Sequence, residues 1–175
     1  MARFEYTKTD RRVLRLLWRI VYLYLFRFSP TPFFGYRRAV LRLFGASIGK
    51  GVHVYPTAVV WFPKNLIMDD YSCLGPNVDC YNVATVHVGA AAIISQYAHL
   101  CTASHDYTKT SRPLVSSPIR IETRAWVASG AFIGPGVTIG ENSVILARAV
   151  ITRNVSANQV WQSANALFKC NITKS

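Results

Sequence analysis

The period of the hydrophobic positions along this chain changes near Gly45. From Thr9 to Phe28 the run TDRRVLRLLWRIVYLYLFRF places apolar residues three and four apart, the spacing of an amphipathic helix. Thr9 or Asp10 supplies its N-cap, and Ser29-Pro30-Thr31-Pro32 stops it. A second short helix is predicted from Tyr36 to Phe44, with Gly45 where a helix C-cap sits. After Gly45 the period is six. Hexads begin at Ile48, Val54 and Val60, slip by two residues, resume at Met68, Leu74 and Cys80, slip by two again, and continue at Val88, Ile94 and Leu100. An irregular stretch follows, and the period returns at Ile121, Val127, Ile133, Ile139, Ile145 and Ile151.

In all 15 hexads except the one carrying Lys64, the fifth position is small or β-branched. A short strand that turns every six residues points one aliphatic side chain inward per face, and its corner needs a small residue or Gly. Coils built this way stack their strands in parallel and bury a shared apolar column, so their ends need caps. The predicted fold is mainly β: a parallel β-helix over residues 46–156, broken by a loop at 106–120, with a helical cap at 1–45 and a C-terminal tail at 157–175.

Composition narrows the function. With 175 residues, 51% hydrophobic and 16% charged, the chain fits one folded domain and is neither disordered nor collagen-like. Its 20 Lys and Arg against 8 Asp and Glu, a net +12, predict a surface that attracts anions. Arg15, Arg19 and Arg27 interrupt the first helix, and the unbroken apolar piece from Ile20 to Phe26 is far shorter than the roughly 20 residues a bilayer span requires. Two readings of that helix stand side by side. In one it lies in a membrane interface, with Arg at the headgroups and Trp18, Tyr22, Tyr24, Phe26 and Phe28 at the acyl boundary. In the other the same aromatics pack on the first coil or on a neighbouring subunit. Cys73, Cys80, Cys101 and Cys170 form no C-x-x-C pair and read as free thiols in a reducing cytoplasm. With no cleavable signal peptide in view, the triplets at Asn154 and Asn171 read as chance glycosylation patterns.

LRLFGASIGKGV at 41–52, MDDYSCLGPNVDCYNV at 68–83, ISQYAHLCTASHDY at 94–107 and WVASGAFIGPGVTIGENSVILARAVITRNV at 126–155 resemble the hexapeptide-repeat acetyltransferases, most closely the colanic acid biosynthesis branch. The resemblance implies a left-handed β-helix of triangular section, an exception to the usual crossover hand, and a homotrimer. It also implies acetyl-CoA as co-substrate, bound between two subunits, a sugar hydroxyl as acceptor and direct acyl transfer with no metal, while the cationic aromatic helix matches a membrane-bound glycolipid acceptor and so a place in the cytoplasm at the inner face of the membrane.

A sugar hydroxyl attacks a thioester only with a positioned base, and His is the side chain suited to that task. The resemblance assigns this role to His105, where the hexads stop and a loop begins. Asp106, or else a backbone carbonyl, is expected to orient the imidazole. Asp79 stands where related sugar acetyltransferases carry an Asn that contacts the acceptor. By the same resemblance Ser129 offers its backbone N–H to the oxyanion. Ala147, Thr152 and Arg153 match CoA contacts, Arg153 replacing the usual Lys at constant charge, and Trp126 packs near the site. One departure stands out: Ala164-Asn165-Ala166-Leu167 replaces the usual G-N-P-A, which puts the turn beside CoA in doubt.

Three other classes share single features with this sequence. A zinc enzyme of the gamma carbonic anhydrase type would use His87, His99 and His105, but their spacing does not match that class. A non-catalytic scaffold whose basic helix binds membrane or partner enzymes follows from the altered G-N-P-A segment, and retention of His105 argues against it. Nucleic-acid binding is the plain inference from charge, yet the arginines cluster at 3–42 and no nucleic-acid module accompanies them.

Overall fold

Isoleucine, valine and leucine at every sixth residue draw the chain into a parallel β-solenoid of about six turns, seen in a computed structural model that describes residues 9–162 and 170–171. Short strands line up on three faces. The first face stacks Ser47–Ile48, Leu66–Met68, Val86–Val88, Ile119–Ile121 and Thr138–Ile139. The second stacks His53–Val54, Cys73–Leu74, Ile93–Ile94, Trp126–Val127, Val144–Ile145 and Gln159–Trp161, the last also pairing antiparallel with Cys170–Asn171. The third stacks Val59–Val60, Asp79–Tyr81, His99–Cys101, Phe132–Ile133 and Val150–Ile151. The solenoid therefore runs past the expected boundary at 156, to Trp161, whose buried ring lies in the core of the last turn.

Every residue that opens a hexad, from Ile48 to Ile151, is buried in one continuous column. The fifth position is buried with it except in the hexads that close the first three turns, where Lys64 and Ser104 are exposed and Ala84 is half-buried. There the corner is built from the third position instead: Phe62, Asn82 and Thr102 are buried. Asn82 replaces a missing ladder by accepting from the Phe62 N–H at 2.9 Å and donating to its carbonyl at 2.8 Å. Thr102 donates to the Tyr81 carbonyl at 2.9 Å and accepts from Ala84 at 3.0 Å. These polar corners are the physical origin of the two-residue slips. Elsewhere the corners use left-handed backbone, stacked as Gly51, Tyr71, Ala91, Arg124, Asn142 and Asn158. Gly51 has φ +65°, and a Cβ there would meet the Tyr71 ring at 2.4 Å, so both conformation and the neighbouring coil exclude a side chain.

The N-terminal segment forms helix α1 (Thr9–Val21), a π turn (Tyr22–Phe26) and helix α2 (Phe34–Leu43). The first helix was expected to continue regularly to Phe28. The wider π turn instead brings Phe26 back under Tyr22 and Trp18, so that the three rings pack 5.6–6.0 Å apart, with Phe44 5.3 Å from Trp18. Thus Trp18, Tyr22 and Phe26 face the first coil, while Tyr24 and Phe28 stay exposed. Gly45, at φ +90°, ends α2 as expected, with its N–H on the Arg42 carbonyl at 2.9 Å.

No coil precedes the first, so the upward carbonyls of its three faces need other donors. Each receives one. Arg42 donates to the Ile48 carbonyl (2.6 Å from Nη2), Arg37 to the Val54 carbonyl (2.6 Å from Nε) and Trp18 to the Val60 carbonyl (2.7 Å). Arg38 adds a bond to the Val52 carbonyl at 3.0 Å. Arg37, fully buried, also donates to Ser29 and the Pro30 carbonyl, both at 2.8 Å, and to the Thr31 carbonyl. Part of the N-terminal arginine excess therefore serves the fold. No described helix is long and apolar enough to cross a membrane.

Candidate active site

After Cys101 the chain leaves the third face as an antiparallel hairpin, Ala103–His105 paired with Leu114–Ser116, whose connecting loop is 106–113. The loop is closed by Asp106 N–H on the Pro113 carbonyl at 3.0 Å and Arg112 N–H on the Lys109 carbonyl at 2.9 Å. Arg112 holds φ +42°, a left-handed conformation unusual for a side-chain-bearing residue, and this aims its carbonyl at His105. Nδ1 of His105 lies 2.6 Å from that oxygen. A carbonyl only accepts, so Nδ1 carries a proton, and in the neutral imidazole Nε2 holds the lone pair on an exposed ring.

Asp106 is engaged elsewhere. It accepts from the Thr108 N–H at 3.1 Å and from the Thr108 hydroxyl, and Lys109 Nζ lies 3.5 Å from its other oxygen. The Thr108 hydroxyl, its N–H and the Lys109 ammonium together hold the Asp106 carboxyl below the usual range. Of the two orienting groups expected for His105, the one in contact with it is the carbonyl, supplied by Arg112.

Asp79 projects from the third face one coil before His99, its register partner, with Oδ2 3.7 Å from His99 Nε2. The His99 ring stands edge-on to Phe132 at 5.3 Å. Ser129 and Ala147 occupy the same corner of adjacent coils, between the second and third faces, where the Arg148 N–H donates to the Ser129 carbonyl at 2.9 Å. Among the described residues the Ser129 N–H has no acceptor, which leaves it as a free donor. Trp126, half-exposed on the second face, donates from Nε1 to Ser95 at 2.9 Å. Thr152 and Arg153 are exposed just after the third face of the fifth turn, and the Arg153 guanidinium lies 4.9 Å over the Trp161 ring. The chain thus places Asp79, Thr152 and Arg153 on or just after the third face, His105 on the hairpin that leaves it, Trp126 on the second face, and Ser129 and Ala147 at the corner between the two. The segment 164–167 lies outside the described residues. His87 pairs with Asp69 at 2.8 Å on the first face, so the three histidines considered for zinc are spread over two faces and the hairpin.

Arg112 escaped sequence reasoning because its contribution is a carbonyl, and the only hint was its place before Pro113 at the far end of the loop.

The bacterial transferase hexapeptide family (six repeats) matches residues 118–153. The chain is 38% identical over 151 residues to the putative colanic acid biosynthesis acetyltransferase WcaF of Escherichia coli, covering 86% of this chain and 83% of that protein. It is 27% identical over 141 residues to the galactoside O-acetyltransferase of the same organism, covering 79% and 70%. Its fold superposes with a TM-score of 0.85, at 22% identity, on a hexapeptide-repeat acetyltransferase of Vibrio cholerae crystallised with acetyl coenzyme A, covering 98% of this chain and 94% of that one. Three stacked faces of hexads, an excursion that carries one histidine, and this degree of identity across most of both chains agree: the chain belongs to the hexapeptide-repeat acetyltransferase family.

Proposed function

We propose that this protein moves the acetyl group of acetyl-CoA to a hydroxyl of a sugar in polysaccharide or glycolipid biosynthesis, with His105 as general base. The observation that carries the assignment is the hydrogen bond from His105 Nδ1–H to the Arg112 carbonyl, which leaves Nε2 as the proton acceptor. In this reading Nε2 takes the proton of the sugar hydroxyl as its oxygen attacks the thioester carbonyl. The oxyanion that forms accepts the Ser129 N–H, and the thiolate of CoA leaves with the proton that His105 returns. Asp79 accepts a hydrogen bond from the acceptor. The Ala147 corner and Thr152 lie along the pantetheine arm, Arg153 meets a CoA phosphate, and Trp126 walls the groove. Asp106 acts one step removed, by holding the loop that carries Arg112.

In this reading the protein is a homotrimer in which one subunit's hairpin faces the next subunit's second-face corner. Residues 46–161 with the excursion 106–120 then carry catalysis, and the helices before them cap the solenoid. The protein works in the cytoplasm at the inner face of the membrane, a location supported by the apolar residues that α1 exposes, Leu16, Leu17 and Ile20 among them.

The test compares wild type with His105→Ala for acetyl-CoA binding by calorimetry and for thiol release with sugar acceptors, with the mass in solution read by sedimentation. Expected are a three-chain particle, binding by both proteins, and turnover lowered about 10²–10⁴-fold in the variant alone. Absence of acetyl-CoA binding by either protein would overturn the enzyme reading, and a monomer that turns over normally would overturn the shared site.

A further inference from the structure

A cavity of about 540 Å³ opens between the N-terminal helical segment and the third face of the first coil. Arg12, Arg15 and Arg19 stand along it, and among the described residues no acidic side chain lines it. Its remaining wall is apolar and aromatic, from Leu16, Leu23, Val59 and Trp61, with the Arg15 guanidinium 5.6 Å over the Trp61 ring. Tyr22 also lines it. That residue is 8% exposed, and its hydroxyl has no hydrogen-bond partner among the described residues. A buried hydroxyl left without a partner is costly unless something fills the place. The guanidinium groups of Arg12 and Arg19 and one hydroxyl without a partner among the described residues favour an anion with several oxygens, which is the chemistry of a phosphate.

The apolar wall says what that phosphate carries. Leu16 and Leu23 belong both to the cavity and to the exposed stripe that α1 and the π turn continue through Leu17, Ile20 and Leu25. A hydrocarbon chain leaving the phosphate has this stripe to lie along. In the other direction Trp61 packs edge-on against Tyr81 at 5.1 Å, and Tyr81 pairs in register with Cys101, four residues before His105. The cavity thus lies at the start of the face along which an acceptor sugar would extend to the base.

We propose that this cavity binds the phosphate of a long-chain alkyl phosphate and so anchors an acceptor sugar carried on a lipid. Only the word acceptor rests on the acetyl-transfer reading; the binding site stands on Arg12, Arg19, Tyr22 and Trp61.

Titration of the full chain with decyl phosphate below its micelle concentration, followed through tryptophan fluorescence, tests it. Decyl maltoside serves as the neutral control, and inorganic phosphate as competitor. Saturable binding of decyl phosphate is expected, at least about tenfold tighter than decyl maltoside, with inorganic phosphate a weak competitor. The double variant Arg12→Gln/Arg19→Gln, both on exposed side chains, should weaken it about tenfold or more, and Tyr22→Phe several-fold with the ring's packing kept. Equal affinity for the maltoside, unchanged binding by the double variant, or full displacement by inorganic phosphate at equal concentration would each overturn the proposal. In a separate arm the double variant should raise KM for a sugar on a decyl phosphate and leave kcat and acetyl-CoA affinity alone. Failure of acetyl transfer would leave the fluorescence result standing, and loss of the fluorescence signal would leave transfer to soluble sugars standing.

Discussion

His105 depends on one loop, and that loop depends on Asp106. The carboxylate ties down the Thr108 N–H and hydroxyl and the Lys109 ammonium, while Arg112, three residues on from Lys109, holds its carbonyl against Nδ1. Because these partners lower the Asp106 pKa in the folded state, the loop contribution is fully present above the ordinary carboxylate range and is lost as pH falls through the lowered value. Amide exchange at Thr108 should therefore stay slow from neutral pH down into the ordinary carboxylate range and quicken below it, and Asp106→Asn should abolish that acid step. An exchange rate that ignores pH, or a step that survives the Asn variant, would show that another group holds the loop. Burial likewise pushes the thiols of Cys80 and Cys73 up, an environment that keeps them unreactive. At this scale the sequence pointed to His105, through the block CTASHDY, and named Asp106 and a backbone carbonyl as its two possible orienters. It had no means of choosing, because the choice depends on where an eight-residue loop turns back at Arg112.

At the scale of elements, the solenoid's first coil is an open sheet edge on every face, and the side chains of α1 and α2 close it. Arg37 is the most committed of these, with donors on Val54, Ser29, Pro30 and Thr31. Arg37→Leu keeps the burial of an aliphatic stem but leaves the buried Val54 carbonyl and the part-buried acceptors on Ser29, Pro30 and Thr31 unmatched, and it should cost about 3 kcal/mol of unfolding free energy, measured by urea titration. An Arg42→Leu change, on an exposed side chain, should cost about 1 kcal/mol because water reaches the vacated carbonyls. Equal costs for the two would mean that burial, and not carbonyl capping, governs this end. Periodicity showed that a cap was needed and that α1 and α2 were helical. The split of its aromatics, Trp18, Tyr22 and Phe26 inward with Tyr24 and Phe28 outward, was not legible, because a π turn changes which residues share a face and no local residue pattern announces one.

For the whole molecule, charge and apolar surface concentrate at one end. The exposed side chains Val13, Leu16, Leu17 and Ile20 lie beside Arg12 and Arg19, an arrangement matched to an anionic lipid surface. Vesicles containing an acidic phospholipid should float the wild-type chain at low salt and release it as ionic strength rises, and Leu17→Glu with Ile20→Glu should abolish flotation without lowering Tm. Flotation unaffected by the two substitutions would move the contact elsewhere. By itself the sequence determined the β-solenoid, its three-faced period and its capped first end, because each of these follows from which residues recur every six and which recur every three or four, and its motifs carried the resemblance to the family. Tertiary structure alone decided that the slips are polar corners built on Asn82 and Thr102, that Arg37 and Arg42 serve carbonyls, that Arg112 orients His105, and that Arg12, Arg15, Arg19 and Tyr22 surround one cavity. All of these are contacts between coils, between a helix and a coil, or across a loop. A period reports what one residue does relative to its own face, whereas such contacts depend on how faces meet.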